Sequence, residues 1–315
     1  MQNIPFVDLS QFRSSSEDDR TAFIEALGDA FHNVGFVGVR NHGIPHDLVK
    51  RFYLEAEAFF DLPAPIKDKY EIEGLAGQRG YTSFGKEHAK QSNVGDLKEF
   101  YQFGQEYPAD SENKSDYPDN VRVQERPQFL PTALSLYQEF EKAGADLLRA
   151  IALHLELDPT YFDQKINGGN SILRAIHYPP ITEEPESAIR AEQHEDINLI
   201  TLLVGASAAG LQVQDKGGNW VPVVTEGEEI VVNVGDMLQR LTNNYLKSTT
   251  HRVVNPPREE WHKPRLSIPF FLHPISDMDL SCLDHCVTEE RPLAYEPITA
   301  GAYLNERLRE IGLKK

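Results

Sequence analysis

The sequence contains little cysteine and no long run of apolar residues. Cys282 and Cys286 are the only cysteines among its 315 residues, which excludes a fold held together by several disulfide bonds. Such sparse cysteine is typical of the reducing cytoplasm, and we predict that location. No window approaches the roughly 18 consecutive apolar residues of a membrane-spanning helix, so no membrane partner is expected.

Basic residues are scarce relative to acidic ones. The chain has 31 Lys and Arg against 49 Asp and Glu, with a formal net charge of -18 at pH 7. Nucleic-acid binding needs clustered basic side chains against the phosphates, so this balance argues against a nucleic-acid partner. The first residues, MQNIPFVDLSQF, carry neither the basic segment nor the apolar core of a secretory signal peptide.

The first half of the chain shows helical periodicity. Ser16 followed by Asp19 is a variant of the capping box, and apolar residues at helical spacing follow it. A second amphipathic helix is predicted after Pro45. We therefore expect a helical N-terminal region at 1–120 and a long supporting helix within 121–165.

The pattern changes near residue 170, where short apolar runs alternate with turn signals. Examples are SILRAIHYPP, INLITLLV, GLQVQ, EIVVNVG and RLSIPFFLHP. Many short strands at close spacing favour an antiparallel jelly roll. We predict a mainly β protein with a jelly-roll core at 166–275, flanked by helices and followed by a C-terminal helical extension at 276–315.

A histidine and an aspartate stand two residues apart at the start of one apolar run. In AEQHEDINLITLL, His194 and Asp196 would point to one face of an extended backbone, as half of a metal site or as a surface ion pair. His251 begins a later apolar run, and a jelly roll can bring a later strand beside an earlier one. Two histidines and one carboxylate form the facial triad that holds Fe(II) and leaves positions open for other ligands. We predict these three residues as the metal ligands and the catalytic centre.

Another polar pair follows His251. Arg265 and Ser267 are two residues apart, so their side chains share one face of a predicted strand. The arginine fork suits a carboxylate, and an arginine that faces the inside of a barrel is costly without an anion. Tyr178, in IHYPP, offers a phenol donor. The pattern predicts a site for a dicarboxylic co-substrate that chelates the iron at its other end; a solvated surface pair is the alternative.

Together these motifs resemble a known enzyme family. His194-x-Asp196, the run VNVGDMLQRLTNNYLKSTTHRVVNP and Arg265-x-Ser267 are similar to the isopenicillin N synthase-like branch of the Fe(II)/2-oxoglutarate dioxygenases. IPFVDLS, FHNVGFVGVRNHGIP and GDLKEFYQFG resemble the N-terminal region of the same superfamily. The resemblance covers nearly the whole chain.

The resemblance implies a double-stranded β-helix with iron at its mouth. The three predicted ligands would hold Fe(II), and Arg265, Ser267 and Tyr178 would bind the distal carboxylate of 2-oxoglutarate. The implied activity uses O₂ to hydroxylate, desaturate or cyclise a small organic substrate, and it releases succinate and CO₂. Ascorbate is a candidate reductant. Gly235 and Asp236 are expected in the turn before the strand that leads to His251.

Four residues are candidates for substrate contact. Arg174 precedes Tyr178 by four residues and should share its face, which favours either an anionic substrate or an arginine held in a salt bridge. Phe271 continues the Arg-x-Ser face, as a pocket wall or as core packing. Tyr81 and Phe84 lie in GYTSFGKEHAK, which has the composition of a loop over a pocket.

Three other functions stay open at this point. Isopenicillin N synthase and plant aminocyclopropane-carboxylate oxidase share the triad and the Arg-x-Ser pair without using 2-oxoglutarate. Ethylene-forming enzymes are a further possibility inside the fold. A sensor that kept the triad without turnover belongs to another class, and the complete set of ligands argues against it. We expect a monomer or a weak oligomer.

Overall fold

The computed structural model of the chain describes residues 4–75, 77–87, 95–107, 117–185, 187–205, 209–225 and 227–310. The α-helices within them are α1 (Leu9–Phe12), α2 (Glu17–Asn33), α3 (His46–Phe60), α4 (Ala64–Lys67), α5 (Phe129–His154), α6 (Asp163–Ile166), α7 (Asp236–Leu241) and α8 (Ala300–Glu310). The strands are β1 (Phe6–Asp8), β2 (Phe36–Arg40), β3 (Gly80–Thr82), β4 (Glu99–Phe103), β5 (Ile172–Tyr178), β6 (Ala191–His194), β7 (Ile200–Val204), β8 (Leu211–Gln214), β9 (Trp220–Pro222), β10 (Ile230–Val234), β11 (His251–Val253) and β12 (Arg265–Leu272).

The start of α2 follows the predicted capping pattern. The Ser16 hydroxyl accepts the backbone N–H of Asp19 at 3.2 Å. Glu17, Asp18 and Asp19 occupy the first turn, where negative charge interacts favourably with the positive end of the helix dipole. As predicted, α3 begins directly after Pro45.

The long helix α5 supports the strand that carries the Arg-x-Ser pair. Its buried side packs on β12, where the Phe140 ring stacks on Phe270 with centroids 5.2 Å apart. Tyr137 meets the same Phe270 ring edge-on at 5.0 Å. Because buried aromatic pairs are close-packed and directional, this contact fixes the position of β12.

The strands form two sheets. The large sheet has the order β1-β2-β10-β7-β12-β5-β4-β3, and the small sheet has the order β6-β11-β8-β9. Tyr178 and Ser267 of the large sheet and His251 and Val253 of the small one line the same cavity. The two sheets therefore face each other across this cavity, and the predicted jelly-roll core flanked by helices is confirmed.

The N-terminal part, predicted as helical, also supplies strands to the core. β1 pairs in parallel with β2, which pairs with β10, and β3 and β4 extend the opposite edge beyond β5. The large sheet therefore unites both halves of the chain. None of the helices in the described segments combines the length and the apolar character needed to cross a membrane.

Candidate active site

The pairing of β6 with β11 brings two distant histidines together. His251 lies directly opposite His194 in the antiparallel register, and their ring centroids are 4.4 Å apart. β6 ends at His194, so Asp196 lies in the loop that leads to β7 rather than on an extended strand. Its Oδ1 is nevertheless 3.8 Å from His194 Nε2 and 3.7 Å from His251 Nε2. The convergence expected from the spacing is thus present, although a loop produces part of it.

Hydrogen bonds orient the three side chains. Thr201 Oγ1 donates to Asp196 Oδ2 at 2.6 Å, and Asn233 Nδ2 donates to the same oxygen at 2.8 Å. Nδ1 of His194 donates to the Glu192 carbonyl at 2.6 Å. His251 Nδ1 donates likewise to the Thr249 carbonyl at 3.1 Å. Both histidines therefore keep the Nε2 lone pair, and Asp196 keeps Oδ1, for a shared ligand.

The protonation states fit a divalent metal ion. Burial and the neighbouring His251 ring lower the pKa of His194, so its imidazole is neutral at pH 7. Burial alone would raise the pKa of Asp196, but the two histidines and its hydrogen-bond donors hold it below its usual range. One potential donor atom from each residue lies within 4.8 Å of the others. Two neutral imidazoles and one carboxylate are the donor set of a non-haem Fe(II) site. We refer to these three residues as the metal triad.

The Arg-x-Ser pair and the predicted tyrosine line the same cavity as the metal triad. This cavity has a volume of about 600 Å³. Arg265 lies opposite Tyr178 in the β12–β5 register, and its guanidinium carbon is 4.9 Å from the centre of the Tyr178 ring. Arg265 and Tyr178 are each 2% exposed, and Ser267 is 4% exposed. A buried guanidinium, a hydroxyl and a phenol therefore lie in the wall of one cavity.

Arg174 and Phe271 line this cavity as well. The Arg174 guanidinium pairs with Glu87 Oε1 at 3.2 Å and donates from Nε to Gln102 Oε1 at 3.1 Å. Its guanidinium carbon lies 4.1 Å from the centre of the Phe100 ring and 5.1 Å from that of Phe271. Of the two alternatives for Arg174, the structure shows the salt bridge.

A buried ion network continues from Arg174 along the cavity wall. Lys98 Nζ lies 2.8 Å from Glu87 Oε1 and 2.7 Å from Asp96 Oδ2. Burial opposes the ionisation of Glu87, but Arg174 and Lys98 lower its pKa to about 2. We call Arg174, Glu87, Lys98 and Asp96 the wall network; its two positive and two negative charges sum to zero.

The structure places Tyr81 and Phe84 outside the cavity lining. Tyr81 lies on β3 opposite Tyr101, and its hydroxyl donates to Glu99 on the core side of the sheet. Side chains alternate along a strand, so this row faces the helices, whereas Gln102 on β4 faces the cavity. Phe84 follows β3 and is 51% exposed. Residues 88–90 of the predicted loop lie outside the described residues.

Sequence reasoning missed the contribution of Asp236 and α8. Asp236, expected in a turn, is the first residue of α7 and lines the cavity. Burial raises its pKa to about 8, and the Tyr303 hydroxyl donates to its Oδ2 at 2.9 Å. Leu304 and Arg307 of α8 also line the cavity. For Asp236, the only sequence signal is an acidic residue close to the strand of a predicted ligand. For α8, nothing in the sequence pattern indicates where the helix docks.

Comparisons with known families and proteins agree with this geometry. Residues 4–125 match the family model described as non-haem dioxygenase in morphine synthesis N-terminal, and residues 169–274 match that of the 2OG-Fe(II) oxygenase superfamily. The chain is 33% identical to the 2-oxoglutarate-dependent dioxygenase ecdK of Aspergillus rugulosus, over 94% of this chain and 96% of the relative.

Two solved structures are similar over almost the whole chain. One is a protein from Caulobacter crescentus described as belonging to the 2OG-Fe(II) oxygenase family, with 41% identity, a TM-score of 0.88 and coverage of 99% of this chain and 100% of that one. The other is a full-length Neurospora crassa protein in complex with alpha-KG and thymine, with 30% identity, a TM-score of 0.85 and coverage of 97% and 96%. The chain belongs to the 2OG-Fe(II) oxygenase superfamily and is an Fe(II)- and 2-oxoglutarate-dependent dioxygenase that oxidises a small organic substrate.

Proposed function

We propose that the metal triad holds Fe(II) and that Arg265, Ser267 and Tyr178 bind the distal carboxylate of 2-oxoglutarate. The observation that carries this proposal is that all six side chains line one cavity. Bound Fe(II), with 2-oxoglutarate and O₂, supplies the oxidising chemistry, and the co-substrate leaves as succinate and CO₂. The protein's own part is to bind, orient and exclude water.

The roles of the individual residues follow from their contacts. Thr201 and Asn233 hold Asp196 so that Oδ1 faces the two imidazoles. Arg265 supplies a charge-assisted, bidentate contact, and Ser267 adds a hydroxyl on the same strand face. Because Arg265 is 2% exposed, a carboxylate beside it is shielded from water and interacts more strongly than on the surface.

We propose further that the primary substrate is small and uncharged, and that it lies against Arg174 and Phe271. Arg174 is already neutralised by Glu87 at 3.2 Å, so a substrate carboxylate would have to compete with a buried ion pair. The Phe271 ring, the Gln102 side chain and the Arg174 guanidinium give this wall both apolar and hydrogen-bonding surface. Thymine, the compound bound in the Neurospora crassa structure, is itself small and uncharged.

Four finer features complete the proposal. The motifs favour the isopenicillin N synthase-like branch of the superfamily, and the low cysteine content favours the cytoplasm. Ascorbate would act as the reductant that keeps the iron ferrous. We expect the protein to work as a monomer or weak oligomer.

An anaerobic titration of the purified protein with Fe(II) and then 2-oxoglutarate tests the site assignments. We expect one iron per chain and a weak metal-to-ligand charge-transfer band in the visible when 2-oxoglutarate binds. Admission of O₂ should then release succinate and CO₂. Binding of iron without this band, at saturating 2-oxoglutarate, would favour an isopenicillin N synthase-like oxidase. Formation of the band without succinate in any substrate screen would favour a sensor.

A substrate screen scored by succinate release tests the proposed substrate class. It should pair uncharged compounds with analogues that carry one added carboxylate, so that size and shape stay close. We expect the uncharged member of each pair to couple better to succinate formation. A consistent preference for the carboxylated members would contradict the assignment of Arg174 to the wall network.

A further inference from the structure

Arg190 is a buried arginine that none of the roles above uses. It directly precedes β6 and is 2% exposed. Its Nη2 donates to the Lys263 carbonyl at 3.1 Å, and its Nε has no hydrogen-bond partner in the segments that the structure describes. No carboxylate of those segments forms an ion pair with it. Burying a cation with so few partners is costly, so its presence calls for an explanation.

The guanidinium of Arg190 lies close to the proposed 2-oxoglutarate contacts. The guanidinium carbon of Arg190 lies 5.8 Å from the centre of the Tyr178 ring, and the guanidinium carbon of Arg265 lies 4.9 Å from the centre of this ring. Burial, and after it the charge of Arg265, lower the pKa of Arg190. The nearby Glu260 is a surface residue whose carboxylate accepts from Lys263 Nζ at 2.9 Å. Tyr178 therefore has two buried guanidinium groups beside it.

Two like charges buried together repel one another. An anion that lies near both of them offsets this repulsion as well as the cost of taking each cation out of water. A carboxylate bound to Arg265 beside Tyr178 would be such an anion. A 2-oxo acid that lacks the second carboxylate would place no anion near the two guanidinium groups, although it could still chelate a metal ion through its 2-oxo acid end.

We propose that Arg190 is a positioning residue whose charge, acting beside Tyr178 and Arg265, makes the site select a dicarboxylic 2-oxo acid over a monocarboxylic one. This inference rests on the proposed 2-oxoglutarate site. Arg190 acts through the field and through its contact with the Tyr178 ring, while Arg265 makes the direct contact.

Two substitutions separate the charge of Arg190 from its structural contact. Arg190→Gln can keep a donor for the Lys263 carbonyl and removes the charge, whereas Arg190→Lys keeps the charge. Arg79→Gln is the matched control, because Arg79 is also a buried arginine, 1% exposed, and it donates to the Gln78 carbonyl. Arg79 lies near His273, which directly follows the last residue of β12, whereas Arg265 is the first residue of that strand.

The measurement is calorimetric binding to Mn(II)-loaded protein, in which no turnover is needed. The probes are 2-oxoglutarate and 2-oxopentanoate, which has a methyl group in place of the distal carboxylate. We expect Arg190→Gln to raise the Kd of 2-oxoglutarate about tenfold and to leave that of 2-oxopentanoate within about twofold. Arg190→Lys and Arg79→Gln should keep the wild-type Kd for 2-oxoglutarate within about threefold.

Equal weakening of both probes by Arg190→Gln, or equal weakening of 2-oxoglutarate binding by the Gln and Lys variants, would show a structural role and overturn the inference. An unchanged Kd for 2-oxoglutarate in Arg190→Gln would overturn it as well. These results differ from a failure of the proposed function, which would appear as wild-type protein that binds no 2-oxoglutarate.

Discussion

Two parts of one cavity differ in whether their charged side chains are balanced by other side chains of the protein. The metal triad directs two imidazole nitrogens and one carboxylate oxygen at a common point, with all three within 4.8 Å of one another. Asp196 is the acidic member of the triad, and no Lys or Arg side chain of the described residues forms an ion pair with it. The triad is therefore arranged for a cation from outside the chain.

The wall network is complete without a ligand. Lys98 pairs with both Glu87 and Asp96, and Arg174 pairs with Glu87. All four side chains are largely buried, and their charges cancel. A wall of this kind offers hydrogen bonds and ring surfaces to a substrate, but it has no surplus charge to attract an ionic one.

The difference teaches how charged residues in a cavity can be interpreted. A charged side chain in a pocket predicts a charged ligand only when the protein has not already neutralised it. By this criterion the metal triad predicts a metal ion, whereas Arg174, despite its position on the cavity, does not call for an anionic substrate. The predictions that follow test each side of this contrast.

Loss of one member of the metal triad should have the largest effect. We expect His194→Ala and Asp196→Ala to abolish stoichiometric iron binding and to lower turnover by at least about a thousandfold, because two ligands do not hold the ion in place. Iron is measured by chelator assay on protein loaded anaerobically. Asp215→Ala, in the exposed turn between β8 and β9, is the control and should keep both properties. Full iron occupancy in Asp196→Ala would refute the triad.

Removal of the guanidinium at the co-substrate end should come next. Loss of one partner of a buried, charge-assisted contact costs about 2–5 kcal/mol, so Arg265→Ala should raise the KM for 2-oxoglutarate by about thirtyfold or more. Ser267→Ala removes a neutral donor and should have a smaller effect. Succinate release at varied 2-oxoglutarate measures both. If Arg265→Ala showed unchanged 2-oxoglutarate dependence, the role of this arginine would be wrong.

The hydrogen bonds behind Asp196 should tune the metal site without destroying it. Asn233→Leu removes the amide that donates to Oδ2 at 2.8 Å, and Thr201→Val removes the hydroxyl at 2.6 Å. Partners of this kind typically affect metal affinity by about 10–100-fold. Competition with a chelator of known affinity measures the change. Wild-type affinity in both variants would show that the orientation of Asp196 does not depend on them.

Unbalancing the wall network should alter substrate choice. Glu87→Gln removes one negative charge and leaves Arg174 with a neutral neighbour, so carboxylated analogues should gain about tenfold in kcat/KM relative to their uncharged parents. Paired analogues from the succinate screen provide the measurement, and the Kd of 2-oxoglutarate serves as the internal control. No change in relative preference would mean that the network does not set the charge of the substrate.

The smallest effect is expected at α8. Tyr303→Phe removes the hydrogen bond to Asp236 Oδ2, a contact worth about 1 kcal/mol. We expect a change of only a few-fold in the KM for the primary substrate, with iron and 2-oxoglutarate binding unchanged, because Tyr303 lines the cavity without belonging to either site. A large loss of iron would instead place this contact in the support of the metal triad.

The sequence predicted the parts of the site that are encoded by short spacing. His194-x-Asp196 and Arg265-x-Ser267 each occupy one short segment, and the jelly-roll prediction explained how His251 could return to the same place. The structure brings these residues together through the β6–β11 register and through β12. A pattern with a period of two residues is local, so it can be detected without knowledge of the tertiary contacts.

The remaining features depend on contacts between distant segments. The partner of Arg174 is Glu87, 87 residues earlier, and the docking of α8 is decided by packing rather than by any motif. The composition around Tyr81 predicts a loop, but this residue lies on a strand of only three residues, Gly80–Thr82, and so short a run does not reveal which of its sides faces the cavity. No sequence pattern marks Arg190, since its burial depends on how the segments around β6 pack in the folded chain.

The most direct test is a crystal structure of the Mn(II)-loaded protein with 2-oxoglutarate, measured with anomalous diffraction. We predict one manganese peak per chain within coordinating distance of Nε2 of both histidines and of an Asp196 carboxylate oxygen, and a carboxylate of 2-oxoglutarate against Arg265. A metal peak elsewhere in the chain, or a 2-oxoglutarate molecule that leaves Arg265 untouched, would contradict it.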